Sequence, residues 1–369
     1  MCNKLVSITL AATVLAGSLL AGTARAQSST RAMPAEDAAA AVVDPDWEVP
    51  RTSWGHPDFS GTWSTDDMLS IPRQRPEEFG DRDKLTPEEF AERASNDDEQ
   101  LDRTRNVQNF SARGERGIRT FGFTSQIIDP PDGRIPPMTE AGLARAAPRD
   151  RGTFGSGPFD DFEDFTLYDR CITRGVLGSK FPVVYGNGLR ILQTPDSVAI
   201  SYEMIHDTRI IKLDGRPHMT DDIRQYLGNS RGYWDGDTLV VETHNLTDLT
   251  SIGPNGNGTR HSTEMTITER FTRVDPGMIE YTARVEDPVT YTSPFTVRLM
   301  LTAQPGYRLY EYSCHEGNGA VDHSLSGERA YDRRAEEAVA AGEPIPERPT
   351  GLGPLPEEET EFFDINAGE

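Results

Sequence analysis

The sequence predicts a mainly β protein: an antiparallel meander that closes into a barrel or stacks as a sandwich, with a charged helical insertion and a C-terminal helix. Three observations lead there. From about residue 188 to 314, short runs rich in β-branched and aromatic residues alternate with turn chemistry such as Pro195-Asp196, Asp214-Gly215, Asp275-Pro276-Gly277 and Pro305-Gly306. No long helical pattern separates the runs, which argues against parallel βαβ units. Seven or more such strands would leave edges open unless they close or stack, and a barrel is the first expectation.

The elements follow in order. Lys4 and the apolar run Leu5 to Leu20, closed by Thr23-Ala24-Arg25-Ala26, have the charge, length and small-residue site of a signal peptide over residues 1–26. Cys2 precedes the apolar run, so it cannot be a lipid-bearing cysteine after cleavage. Residues 27–52 are a flexible lead-in, and 53–340 form a single β-rich domain that includes an insertion at 64–165. Phe59 to Trp63 is a first strand. Within the insertion, Thr86-Pro87-Glu88-Glu89 starts a helix expected to reach about Arg103, with a hydroxyl cap, proline at the first turn and glutamate at N3. The proline and glycine of 129–160 predict a surface wrap. Strands are expected at Leu189–Thr194, Val198–Ile205, Arg209–Leu213, Thr238–Thr243, Glu264–Val274, Ile279–Glu286, Phe295–Thr302 and Leu309–Cys314. A helix at 325–340 and an acidic tail at 341–369 complete the chain.

Charge and cysteines narrow the setting. The formal net charge is −23, and removing residues 1–26 takes away Lys4 and Arg25 and no acid, leaving −25. Such a surface repels nucleic acid and anionic lipid, so neither is an expected partner, and no later stretch is apolar enough to insert in a membrane. The expected location is the periplasm or the medium. There Cys171 and Cys314 are expected to form a disulfide, two buried thiols being the alternative that spacing leaves open.

Three polar segments at strand ends carry the chemistry. They are Tyr202 to Arg209, continued by Arg216 and His218; Trp234 to Asp237, leading into Glu242 and His244; and Tyr310 to Asn318. Each sets histidine near carboxylate, and imidazole exchanges protons near neutral pH when a partner fixes its tautomer. His206 is the candidate base, with Asp207 or Glu242 orienting it. His315 and Glu316 form a second acid–base pair. Tyr202, Arg209, Arg216, Trp234, Arg298 and Asn318 are the candidate substrate-binding residues, the arginines stabilising developing negative charge. No cofactor is required. A divalent metal would take His206, His218, His315 and Glu316 as an N/O set, although no HExxH, paired CxxC or EF-hand run is present. Gly228-Asn229-Ser230-Arg231-Gly232 matches G-x-S-x-G but lacks the strand–helix setting, so it is expected to be a loop. Gly175 to Lys180 has glycines too closely spaced for a P-loop.

The strings Trp234-Asp235-Gly236-Asp237-Thr238-Leu239-Val240-Val241-Glu242-Thr243 and Cys314-His315-Glu316-Gly317-Asn318 belong with Asp169-Arg170-Cys171, Ile128 to Arg134 and Phe59-Ser60-Gly61-Thr62-Trp63. Together they resemble a large, mostly uncharacterised family of exported bacterial β-rich proteins. The resemblance spans about residues 53–330 and implies export and a single unit, with no mechanism attached. Gly61-Thr62-Trp63 is also similar to the G-x-W that opens lipocalin barrels, where tryptophan plugs one end, although a charged stretch replaces the immediate meander of that family.

Three functions follow as expectations. The first is an enzyme acting on a small organic molecule by histidine–carboxylate chemistry, as a lyase, isomerase or hydrolase. The second is a non-catalytic periplasmic barrel that binds such a molecule in its cavity. The third is an envelope interaction protein.

Overall fold

The computed structural model describes residues 47–105, 119–146 and 159–348. The stretch read as a signal peptide, most of the expected lead-in and residues 349–369 of the expected acidic tail lie outside them. No helix among the described residues is long and apolar enough to cross a membrane.

The strands are β1 (Gly61–Ser64), β2 (Ile127–Asp129), β3 (Gly188–Gln193), β4 (Ser197–Tyr202), β5 (Thr208–Lys212), β6 (Asn229–Asp235), β7 (Thr238–His244), β8 (Ser251–Ile252), β9 (Thr259–Arg260), β10 (Thr266–Asp275), β11 (Met278–Glu286) and β12 (Phe295–Ala303). They pair in the order β1-β3-β4-β5-β6-β7-β10-β11-β12, and β1 pairs back on β12, closing a nine-strand barrel. β2 extends the remaining edge of β12, and β8 and β9 form a separate ribbon. The helices are α1 (Pro87–Arg105), α2 (Glu140–Ala146) and α3 (Ala320–Ala341). At α1 the capping box forms as read: Thr86 N donates to Glu89 Oε2 at 2.7 Å, and Glu89 N to Thr86 Oγ1 at 3.3 Å.

The barrel is mixed rather than purely antiparallel. β5 and β6 run parallel and meet at one register pair, Lys212 with Arg231. Two expectations about strands change. Val198–Ile205 ends early, because residues 203–207 turn back with His206 N donating to the Glu203 carbonyl. Leu309–Cys314 is not a strand, and the outer edge of β12 pairs with β1 and β2 instead; Asn229–Asp235, which takes in all but the first residue of the G-x-S-x-G string read as a loop, forms β6.

Period-two alternation sends one face of each strand inward. Val198, Ile200, Tyr202, Ile267, Phe271, Ile279, Tyr281, Val285, Val297, Leu299 and Leu301 belong to one core and are 0–2% exposed. A ligand-sized cavity would leave part of this lining open to water. The interior is therefore packed by side chains, and the polar faces point outward. One end is closed by Trp234, which stacks on Phe59 with ring centroids 5.6 Å apart. The other is closed by the segment from Thr173 to Asn187, whose Val176, Leu177 and Phe181 join the core.

Asp67, in the short turn after β1, supplies a pH test. Burial raises its carboxyl to about 6, against the Arg119 backbone N–H donated to it at 2.9 Å. An acid raised by folding stays protonated more readily in the fold. Stability is then lost as pH rises from about 3.9, the unfolded value, through about 6. Asp67→Asn is expected to gain on the parent above pH 6, by at most about 3 kcal/mol, and to lose that advantage below pH 4. Melting curves from pH 4 to 8 check this, and a difference independent of pH rejects it.

Candidate functional site

The segment closing the barrel carries a cation into the core. Lys180 Nζ lies 3.2 Å from Glu269 Oε1 and donates to Tyr202 OH at 2.8 Å. Arg209 Nη2 approaches Glu269 Oε2 at 2.5 Å as an ion pair, and its Nε donates to Ser230 Oγ at 2.8 Å. Tyr281 OH donates to Glu269 at 3.0 Å. These groups are fully enclosed, so they latch the plug and reach no solute.

The rim above the plug is built from two distant stretches of sequence. The Cys171–Cys314 disulfide forms as expected, with Cα atoms 5.6 Å apart. It brings the turn after β4 against the coil that carries Tyr312. His206 Nδ1 lies 2.9 Å from the Tyr312 carbonyl oxygen. A carbonyl only accepts, so in the neutral ring Nδ1 holds the proton and Nε2 keeps its lone pair at the exposed rim. Ile205 and His206 hold consecutive left-handed backbones, φ 68° and 51°. For a β-branched residue that is a strained conformation.

Below them, Glu203 is buried and accepts the Tyr307 hydroxyl at 2.5 Å, and its Oε2 has no hydrogen-bond partner. An added Cβ at Gly188 would stand 2.5 Å from that oxygen, so a larger residue there would push the Glu203 carboxylate aside. Beside this, the hydroxyls of Tyr168, Tyr185 and Tyr312 hydrogen-bond to one another. Burial pushes the Tyr168 and Tyr312 phenols up, opposed by the nearby Arg174. Arg174 is 1% exposed, and burial lowers its guanidinium to about 10.

The sequence-derived candidates distribute unevenly. His206, Asp207, His315, Glu316 and Asn318 share the disulfide rim. Asn318 Nδ2 donates to the Asp169 carbonyl at 3.2 Å. His315 and Glu316 are exposed and directly follow Cys314. Asp207 does not orient His206; it accepts the Thr173 hydroxyl at 2.7 Å, and the Tyr312 carbonyl does the orienting. Glu242 stands on the outer face of β7, in register with Arg231 and Thr268. The arginines part company: Arg209 is inside the barrel, Arg216 pairs with Asp214 on the surface, and Arg298 lies 3.8 Å over the Phe123 ring. Tyr202 is interior, and Trp234 closes the far end. Ser230 bonds Arg209 and lies 3.1 Å from Thr243 Oγ1, inside the wall.

His218 stacks on His244 at 4.1 Å and bonds Asn229 at 3.1 Å, on the β5–β6 connection. Among the described residues no group of three or more His, Cys, Asp or Glu side chains is placed to hold a metal ion, so His206, His218, His315 and Glu316 do not gather as one ligand set. Sequence reading gave no role to Arg174, Tyr168, Tyr185 or Tyr307, and held Glu203 only as a member of the Tyr202–Arg209 segment. The one available signal was the nearness of Tyr168 and Arg174 to Cys171, and of Glu203 to His206, along the chain.

No family model matches the chain, and no curated protein matches it. Among solved structures, it is similar to a secretary abundant heat soluble (SAHS) protein from Ramazzottius varieornatus. That likeness is 16% identity with a TM-score of 0.20, over 32% of this chain and 74% of that one. The barrel stands on the strand pairing above, not on this likeness.

Proposed function

We propose that the protein is an exported enzyme acting on a small organic molecule at the disulfide rim, with His206 as the base. The observation that carries this reading is the strained pair Ile205–His206, held so that Nδ1 meets a carbonyl and Nε2 faces outward. Two left-handed non-glycine residues cost on the order of 1–3 kcal/mol each and persist where the surroundings over-determine them. A turn that only joined β4 to β5 would have no need of this. His315 and Glu316 on the same rim supply the complementary acid–base pair. Export is supported by the leader-like residues 1–26 and by the disulfide.

Incubation of the mature protein with pooled small organic acids and esters, read by mass spectrometry, tests the reading. One component should be consumed, and His206→Gln should slow its loss by roughly 10²–10⁴-fold while leaving the melting temperature within a degree or two. Equal turnover by the variant rejects His206 as base. The packed interior favours a second reading, an envelope interaction protein. Retention of envelope partners by the His206→Gln protein, with no turnover by either form, is its signature.

A further inference from the structure

We propose that Arg174, beneath the hydroxyls of Tyr168, Tyr185 and Tyr312, is an anion subsite that takes the carboxylate of an aromatic organic acid. The inference rests on the rim being the functional site, and not on His206 being its base. A guanidinium offers five N–H donors in a planar fork. In Arg174, Nη1 donates to the Gly186 carbonyl at 3.2 Å, and Nε and Nη2 are buried with no hydrogen-bond partner. Those two atoms share one edge of the fork, the edge that receives both oxygens of a carboxylate side by side. A buried cation left in this state is strongly disfavoured, so an acceptor belongs there.

The surroundings specify more than an anion. Three phenols whose hydroxyls hydrogen-bond to one another lie near the guanidinium, an aromatic and polar neighbourhood suited to a flat ring with polar substituents. The neighbouring interior holds Lys180 and Arg209 against the single carboxylate Glu269, and that carboxylate is already bound to both. With Arg174 added, three buried cations stand against two buried carboxylates, Glu269 and Glu203. This positive interior lies in a chain of net charge −23, so it attracts at depth what the surface repels. Tyr185 and Tyr312 are only partly buried, and the ligand would enter between them.

Equilibrium binding by calorimetry tests this without any turnover. The probes are 4-hydroxybenzoate, its uncharged analogue 4-hydroxybenzyl alcohol, acetate and inorganic phosphate, each titrated into the mature full-length protein. 4-Hydroxybenzoate should bind at least about tenfold more tightly than the other three. Arg174→Gln should weaken it by roughly 10- to 100-fold, the loss expected for hydrogen bonds to a charged group. Should Arg174→Gln fail to fold, Tyr185→Phe serves instead, because it keeps the ring; it is expected to weaken binding by about 3- to 10-fold. The proposal is overturned if the alcohol, acetate or phosphate binds as well as the aromatic acid. It is equally overturned if nothing binds, or if the variants bind as the parent does. Tight binding without turnover leaves the subsite standing and removes only the enzyme reading; turnover without Arg174 dependence does the reverse.

Discussion

Glu269→Gln is expected to lower the unfolding free energy by about 3–5 kcal/mol, the range for breaking one partner of a buried ion pair. Glu269 is 0% exposed and compensates both Lys180 and Arg209. Burial alone pushes its carboxyl up, but the charges of Arg209 and Lys180 overcome that and hold it at about 2. Glutamine keeps the shape and a carbonyl for Tyr281, yet leaves two buried cations facing each other. Lys180 would then withdraw from the barrel and carry the plug with it.

Urea unfolding at pH 7 measures the loss. Adding Lys180→Met to the variant should recover part of it, because one uncompensated charge is removed. The pH dependence has a definite sign. A carboxyl lowered by folding contributes stability that is full above its unfolded value of about 4.3 and fades as pH falls toward about 2. The gap between parent and variant should therefore narrow across that window. A loss under 1 kcal/mol at pH 7 would mean that water or rearrangement screens the cluster.

Opening the Cys171–Cys314 bridge is the second large effect. The bonded residues are 143 apart in sequence, and constraint of so long a loop in the unfolded chain stabilises by about 2–5 kcal/mol. The double replacement Cys171→Ser, Cys314→Ser should lower the melting temperature accordingly. The local consequence is larger than the global one. Tyr312 lies in coil, with no strand to hold it, and the disulfide is its nearest covalent anchor to the barrel. Without the bond, the carbonyl that orients His206 and one of the three phenols over Arg174 lose their support. Limited proteolysis of the reduced protein should cut within 304–319 before the barrel strands. An unchanged melting temperature together with unchanged proteolysis would show that packing alone holds the rim.

How much of this was readable in the chain varies with the physics involved. That each strand has an apolar and a polar face was legible, because the side-chain period is two; which face turns inward was not, and the structure sends Ile267, Phe271, Tyr281 and Val285 into the core. Thr86 with Glu89 was legible as well, because a capping box is closed within three residues. The histidine–carboxylate segments were only half legible. His206 and His315 do come to one rim, but Glu242 and Trp234 go elsewhere, since nothing local says which strand ends meet.

The sequence by itself determined the β class, the alternating faces, the acidic charge and the availability of two cysteines for one bridge. These follow from neighbours along the chain and from composition. Only the tertiary structure decided that β5 lies parallel to β6, that Ser230 faces the core, and that Lys180 and Arg209 share Glu269. The same holds for Arg174, buried with one edge of its fork unpaired. The physical reason is common to all of them. A charge can enter the interior only if a compensating group arrives with it, and that group comes from a distant part of the chain that no local pattern identifies.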